Sequence, residues 1–207
     1  MADRTLISIV DDDEAVRDSL EALLLAEGFA VIGFSSAEAF LAEGDASSAD
    51  CCLLDVRMPG MDGLTLLRKL GEMGVTVPIV VMTGHGDVPM AVKAMKLGAA
   101  DFIEKPFDAR TMLATIRTAL KTWRTPPPAA TVDPALAERL GRLTPREREV
   151  LEELVAGRSN KEVGLELGIS PRTVEIHRAR LMEKMAADSL AHLVRLALEA
   201  GVDPADR

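Results

Sequence analysis

Four places in this 207-residue chain carry side chains that could do chemistry together. Asp11, Asp12 and Asp13 stand in a row after the apolar run Leu6–Val10. Asp55 follows Cys51–Leu54, Thr83 follows Ile79–Met82, and Lys105 comes shortly after Asp101–Ile103. Clustered carboxylates repel one another and suit a hard, oxygen-loving cation such as Mg²⁺. A carboxylate beside that cation can accept a phosphoryl group, because the metal offsets charge on the group in transit. A hydroxyl and an ammonium could then hold two of the phosphoryl oxygens. Singly, each residue has a plainer use. Asp13 could cap a helix, Asp55 and Thr83 could sit in turns, and Lys105 could be a solvated lysine. Chemistry requires a fold that brings all four places to one edge.

The spacing of apolar residues predicts such a fold. Strand-like runs at Leu6–Val10, Ala30–Phe34, Cys51–Leu54, Ile79–Met82 and Asp101–Ile103 alternate with helical periodicity at Glu14–Glu27, Ala37–Glu43, Gly63–Met73, Val88–Leu97 and Ala109–Lys121. Five strand-then-helix repeats imply an α/β, doubly wound, five-stranded parallel sheet, whose ligands bind beyond the carboxyl ends of the strands. The composition then changes. Thr125-Pro126-Pro127-Pro128-Ala129-Ala130 reads as a linker, and Asp133–Leu140 fits either a short helix or more linker. From Thr144 onward the pattern is all helical, over about Pro145–Ala156, Lys161–Leu167, Arg172–Met185 and Leu190–Glu199. The expected organisation is therefore an α/β domain over 1–123, a Pro-rich and partly helical linker over 124–142, and a small all-α four-helix domain over 143–207.

Within that second domain Thr144 is a plausible N-cap, Pro145 suits the first helical turn, and Glu147 completes a capping-box spacing. Asn160–Leu167 makes a short helix, Gly168-Ile169-Ser170 a turn, and Ser170-Pro171 the start of the next helix. Two short helices around a glycine-containing turn fit a helix-turn-helix, whose second helix enters the DNA major groove. Val174, Leu181 and Met185 are spaced to face a core, with Arg172, Glu175, Ile176 and Ala179 on the opposite face. The same periodicity would serve any small helical bundle.

Charge agrees with two different halves. The net charge of −9 is unevenly spread, about −8 over residues 1–123 and −1 over 124–207. Pro171–Met185 carries Arg172, Arg178, Arg180 and Lys184 against Glu175 and Glu183, a basic stripe that the whole-chain balance hides. No apolar run approaches the roughly 18 residues of a membrane span, so no membrane partner is expected. Met1-Ala2-Asp3-Arg4 leads straight into a strand-like run without a signal peptide's apolar region. Adjacent Cys51 and Cys52 suit neither a disulfide framework nor a zinc site, and a reduced, cytoplasmic setting is expected. His85, His177 and His192 are scattered; none is read as a metal ligand, and His177 reads as a packing or phosphate-side residue.

Residues 5–122 resemble the flavodoxin-like receiver domains of two-component response regulators. The matching pieces are Ile9-Val10-Asp11-Asp12, Leu54-Asp55-Val56-Arg57-Met58-Pro59-Gly60-Met61-Asp62-Gly63, Met82-Thr83-Gly84 and Phe102-Ile103-Glu104-Lys105-Pro106-Phe107. The resemblance implies that Asp55 accepts a phosphoryl group from a cognate sensor histidine kinase. It implies that Asp12, Asp55 and the backbone carbonyl of Arg57 bind Mg²⁺, with Asp11 acting mostly through water. Thr83 and Lys105 would grip the phosphoryl group, Phe102 would turn inward as the switch aromatic, and Lys105-Pro106 would be cis. Such a chain is a signalling protein rather than an enzyme, beyond Mg²⁺-dependent self-phosphorylation and slow autodephosphorylation.

Residues 143–200 resemble the LuxR-type DNA-binding domain through Leu143-Thr144-Pro145-Arg146-Glu147, Asn160-Lys161-Glu162-Val163 and Ser170-Pro171-Arg172-Thr173-Val174-Glu175-Ile176-His177. With Thr83-Gly84-His85-Gly86-Asp87-Val88-Pro89-Met90-Ala91-Val92, the whole chain is similar to FixJ-type regulators. The resemblance implies that Glu175, Ile176 and Ala179 face base edges, while Lys161, Arg172, Thr173, Arg178 and Lys184 lie near phosphates. The partners implied are double-stranded promoter DNA, RNA polymerase and, once phosphorylated, a second copy of the chain. A competing reading is a haloacid-dehalogenase-like phosphatase, which also uses Asp, Thr, Lys and Mg²⁺ on such a sheet. Its nucleophilic aspartate follows the first strand and it carries a cap domain, for which this α/β domain is too short.

Overall fold

The computed structural model describes residues 4–43, 48–84, 88–123 and 133–202. The expected Pro-rich stretch Thr125–Ala130 and the motif residues His85, Gly86 and Asp87 lie outside the described residues. The chain divides into two compact units: Met1–His85 with Lys96–Pro126, which carries the sheet, and Gly86–Met95 with Pro127–Arg207, which carries the C-terminal helices.

In the first unit the strands are β1 (Leu6–Val10), β2 (Ala30–Phe34), β3 (Cys51–Asp55), β4 (Ile79–Thr83) and β5 (Asp101–Glu104). All pairs are parallel and the order is β2-β1-β3-β4-β5. Every residue of β3 and β4 is buried, which explains their unbroken apolar runs: central parallel strands are covered on both faces. The edge strand β2 leaves Ile32 and Gly33 exposed. The helices α1 (Glu14–Ala26), α2 (Ala37–Glu43), α3 (Gly63–Glu72), α4 (Val88–Lys96) and α5 (Ala109–Trp123) follow the strands in turn. Leu20 and Leu24 of α1 and Met112, Ile116 and Ala119 of α5 pack against Ile7, Ile9, Leu53, Val80 and Ile103. Their spacing of three and four residues on the helices, and of two on β1, places each set on one face.

The strand order reverses between β1 and β3, and in such sheets the crevice for a ligand opens at that switch point. The carboxyl ends of β1 and β3 hold Asp11 and Asp55, so the topology alone puts the two carboxylates side by side.

The second unit contains α6 (Pro134–Gly141), α7 (Pro145–Val155), α8 (Asn160–Leu167), α9 (Pro171–Met185) and α10 (Leu190–Glu199). The stretch left open between helix and linker is a helix. Asp133 caps α6 by accepting from the Ala135 N–H, Leu136 and Leu140 are buried, and Arg139 donates to the carbonyl of Met185. It is a fifth helix ahead of the four that periodicity indicates. Capping boxes open α7, through Thr144 and Glu147, and α8, through Ser159 and Glu162. Between α8 and α9, Gly168 takes the left-handed conformation at φ 66°, and a Cβ on Gly164 would stand 2.7 Å from the carbonyl oxygen of Ile169. Both glycines are needed for so tight a turn. Among the described residues, no helix is long and apolar enough to cross a membrane.

Candidate functional site

Asp11, Asp12, Asp55 and Lys105, which follow three different strands, meet in one place. Lys105 Nζ lies 2.5 Å from Asp55 Oδ1 and 2.7 Å from Asp11 Oδ2, so one ammonium bridges the carboxylates that follow β1 and β3. Asp11 and Asp55 are buried, whereas Asp12 is exposed at the rim. Asp13 stands apart, capping α1 by accepting from the Ala15 and Val16 N–H groups, the plainer of its two readings. Burial pushes the Asp55 carboxyl above its ordinary pKa, with the Asp11 charge adding to the push, against the opposing pull of Lys105. Burial also works against the Lys105 ammonium, but its bonds to Asp11 and Asp55 outweigh it and hold its pKa above the ordinary lysine value.

Backbone contacts fix the two acids. The Arg57 N–H donates to Asp55 Oδ2 at 2.7 Å, and the Asp13 N–H donates to Asp11 Oδ1 at 3.0 Å. Arg17, from the first turns of α1, donates to the Asp11 carbonyl at 2.7 Å. The loop after β3 is tied down twice. Asp62 caps α3 by accepting from the Thr65 N–H, and Glu38 on α2 accepts from the Met61 N–H at 2.9 Å. A Cβ on Gly63 would sit 2.1 Å from the Asp55 carbonyl oxygen, so only glycine lets the start of α3 approach the strand end so closely. Arg17, Glu38 and Gly63 were not singled out from the sequence as site residues. Gly63 had a signal in the motif after Asp55, but the reach of Arg17 and Glu38 to distant backbone has no local one.

Thr83 and Phe102 complete the pocket's surroundings. Thr83 is buried, and its Oγ1 has no hydrogen-bond partner among the described residues, an uncommon state for a buried hydroxyl. The Lys105 N–H donates to the Thr83 carbonyl at 2.7 Å, which ties the lysine's backbone to the end of β4. Phe102 is buried at 8% exposure, and the alternation along β5 turns it away from the face of Ile103. Lys105-Pro106 is cis, as the resemblance implies.

Mg²⁺ fits the donors present. Asp11, Asp12 and Asp55 each offer a carboxylate oxygen, and the three oxygens lie within 4.8 Å of one another. Such an all-oxygen set matches the preference of a hard divalent cation. At the end of the neighbouring strand β4, the Thr83 hydroxyl, unpartnered among the described residues, is a donor available to an anionic group.

In the helical unit the expected DNA residues divide. Lys161 is exposed at the start of α8, and Arg172, Glu175, Ile176 and Ala179 are exposed on α9. Arg172 Nη1 pairs with Glu175 Oε2 at 2.8 Å, on the surface. Thr173 Oγ1 lies 2.8 Å from Ser170 Oγ at the helix start, and Arg178 Nη1 donates to Asn160 Oδ1 at 2.9 Å.

Lys184, also expected near phosphates, has partners within the domain. Its Nζ is 2.6 Å from the buried Glu147 carboxylate and 3.3 Å from the Arg142 carbonyl, while its side chain stays 34% exposed. Burial alone would raise the Glu147 carboxyl, but Lys184 and the Thr144 N–H hold it down to about 2. Nothing in the local sequence pairs residues 147 and 184. Their meeting depends on how α7 packs against α9.

Comparison with known proteins agrees with this division. Residues 7–117 match the model of the response regulator receiver domain, and residues 141–197 match that of the bacterial regulatory proteins of the luxR family. The chain is 50% identical over 200 residues to the transcriptional regulatory protein FixJ of Azorhizobium caulinodans, covering 97% of this chain and 95% of that one. It is 50% identical over 206 residues to the FixJ of Rhizobium meliloti, covering 99% and 100%. The crystal structure of full-length FixJ from B. japonicum is similar at 49% identity and a TM-score of 0.55, over 95% of this chain and 97% of that one.

Proposed function

Since the chain belongs to the FixJ-type response regulators of two-component systems, each a receiver joined to a LuxR-type DNA-binding domain, we propose that phosphorylation of Asp55 controls its binding to promoter DNA. The observation that carries this reading is the pocket itself. Two buried carboxylates bridged by Lys105 stand beside a third at the rim and an unpartnered threonine hydroxyl.

Asp11, Asp12, Asp55 and the Arg57 carbonyl would hold Mg²⁺, which when bound offsets the negative charge of an incoming phosphoryl group. A phosphohistidine on the sensor kinase presents that group to Asp55. One Asp55 oxygen forms the new bond to phosphorus as the bond to the imidazole nitrogen breaks. The Arg57 N–H, already on the other Asp55 oxygen, keeps the carboxylate aligned. Lys105 then leaves its bridge for a phosphoryl oxygen, and the Thr83 hydroxyl donates to another. A cleft of about 720 Å³ lined by Val16, Leu20, Leu23, Pro106 and Phe107 adjoins Lys105 and offers the kinase an apolar surface beside the acceptor.

Movement of Thr83 and Phe102 passes the signal to the surface of α4 and β5, through which two phosphorylated chains associate. The paired chains place two copies of α9 on promoter DNA, where they act on RNA polymerase. Incubation with acetyl phosphate and Mg²⁺ tests the first step. The wild type should gain one phosphoryl group, and Asp55→Asn none. Equal labelling of that variant, or labelling indifferent to chelation, would overturn the assignment.

A further inference from the structure

The face of α9 between its core and its outermost residues carries a second set of polar groups. Val174, Leu181 and Met185 are buried, and Glu175, Ile176 and Ala179 are exposed. Thr173, His177 and Arg180 are spaced by four and three residues, so their side chains adjoin along one flank. The His177 ring is half-buried, and its Nδ1 is shut off from solvent with no hydrogen-bond partner among the described residues. A buried N–H without an acceptor is rarer and costlier than an unused lone pair. The hydrogen therefore belongs on Nε2, the other ring nitrogen. Arg180 is exposed and pairs with no carboxylate among the described residues. The neighbouring cations are engaged, Arg178 by Asn160 and Lys184 by Glu147.

A major groove is about 12 Å wide, and a helix with its side chains measures about 10–12 Å across. When such a helix is seated, its flanks meet the phosphate strands that line the groove. We infer that His177 and Arg180 form a phosphate-binding edge on α9, with His177 donating an uncharged hydrogen bond from Nε2 and Arg180 making a charged contact. The assignment rests on the proposed DNA binding. It adds an unpaired cation on the side of the helix where Lys184 already faces Glu147.

The two residues leave different signatures, because only a charged contact releases counterions. The full chain, treated with acetyl phosphate and Mg²⁺, is titrated against fluorescent duplex DNA over a range of salt concentrations. Arg180→Ala should weaken binding to every sequence and reduce the salt slope by about one unit. His177→Phe should weaken binding roughly fivefold at every salt concentration, leaving the slope unchanged. His177→Gln, whose amide nitrogen reaches where Nε2 does, should restore most of the loss. Thermal unfolding separates a lost contact from a damaged fold, and where the Phe variant is destabilised the Gln and Arg180 variants decide. A wild-type slope in Arg180→Ala, or wild-type affinity in a stably folded His177→Phe, would overturn the inference. If the wild type itself binds no duplex, the proposed DNA binding is what fails.

Discussion

Lys105 does the work that joins two separate acids into one site. Its ammonium bridges Asp11 and Asp55, so a phosphoryl group on Asp55 offers it a third anion in place of the bridge. The variant Lys105→Ala should therefore still accept phosphate from acetyl phosphate, because the carboxylate remains. It should show no gain in DNA affinity on phosphorylation, since the ion pair that reports the group is missing. Labelling and DNA titration on the same sample check both halves. Glu147 makes the opposite use of a lysine, as a structural pair. Its folded-state pKa of about 2 lies below the ordinary value of 4.5, so its contribution to stability is complete above pH 4.5 and is lost as the pH falls towards 2. Replacing Lys184 with Met leaves that buried carboxylate without its cation and should cost about 1–3 kcal/mol at neutral pH. The variant should also lose the share of the fall in stability between pH 4.5 and 2 that the Lys184–Glu147 pair contributes; urea unfolding of both proteins across that range measures the difference.

Among the elements, α9 carries the residues expected at the base edges. Glu175 sits on its exposed face, where it could read a base or pair with a nearby arginine. The structure shows the pair with Arg172 at 2.8 Å. Both side chains are largely solvated, with Arg172 at 83% exposure, so the pair is weak and opens at little cost when DNA approaches. On the proposed function, Arg172 would steady Glu175 in the free protein and turn to a phosphate in the complex. A carboxylate freed in this way can accept from a cytosine amino group. Glu175→Ala should relax preference at one or two base pairs of each half-site, by about 1–3 kcal/mol at the preferred base. Selection of binding sites from random duplexes with both proteins checks this, and identical motifs would reject the reader role. Element bounds were otherwise legible to within a residue or two, because apolar spacing and capping residues act locally. Only α6 stayed undecided, since its helix depends on burying Leu136 and Leu140 as much as on its own propensity.

For the molecule as a whole, the proposed output is a change of assembly. An isologous pair closes on itself and presents two recognition helices with the two-fold symmetry of paired half-sites. Sedimentation of the wild type should show a mainly monomeric chain that shifts to twice the mass with beryllofluoride and Mg²⁺. Asp55→Asn should not shift. A mass that stays constant under both conditions would count against phosphorylation-driven pairing.

By itself the sequence determined the two folds, the order of their elements and which carboxylates, hydroxyl and ammonium lie at the strand ends. Those properties follow from periodicity and from the rule that parallel strands share one carboxyl edge. It also determined the family, through motifs whose residues are near neighbours in the chain. Tertiary structure alone decided which charges are free. Lys184 reads as surface basic stripe until α7 brings Glu147 against it, and Thr83 reads as an ordinary turn residue until burial strips its hydroxyl of partners. His177 likewise gains a directed donor only because packing covers one side of its ring. A charge or hydrogen bond is satisfied by whatever comes within about 3 Å of it. That distance is set by packing between segments far apart in the chain, which no local pattern of residues records.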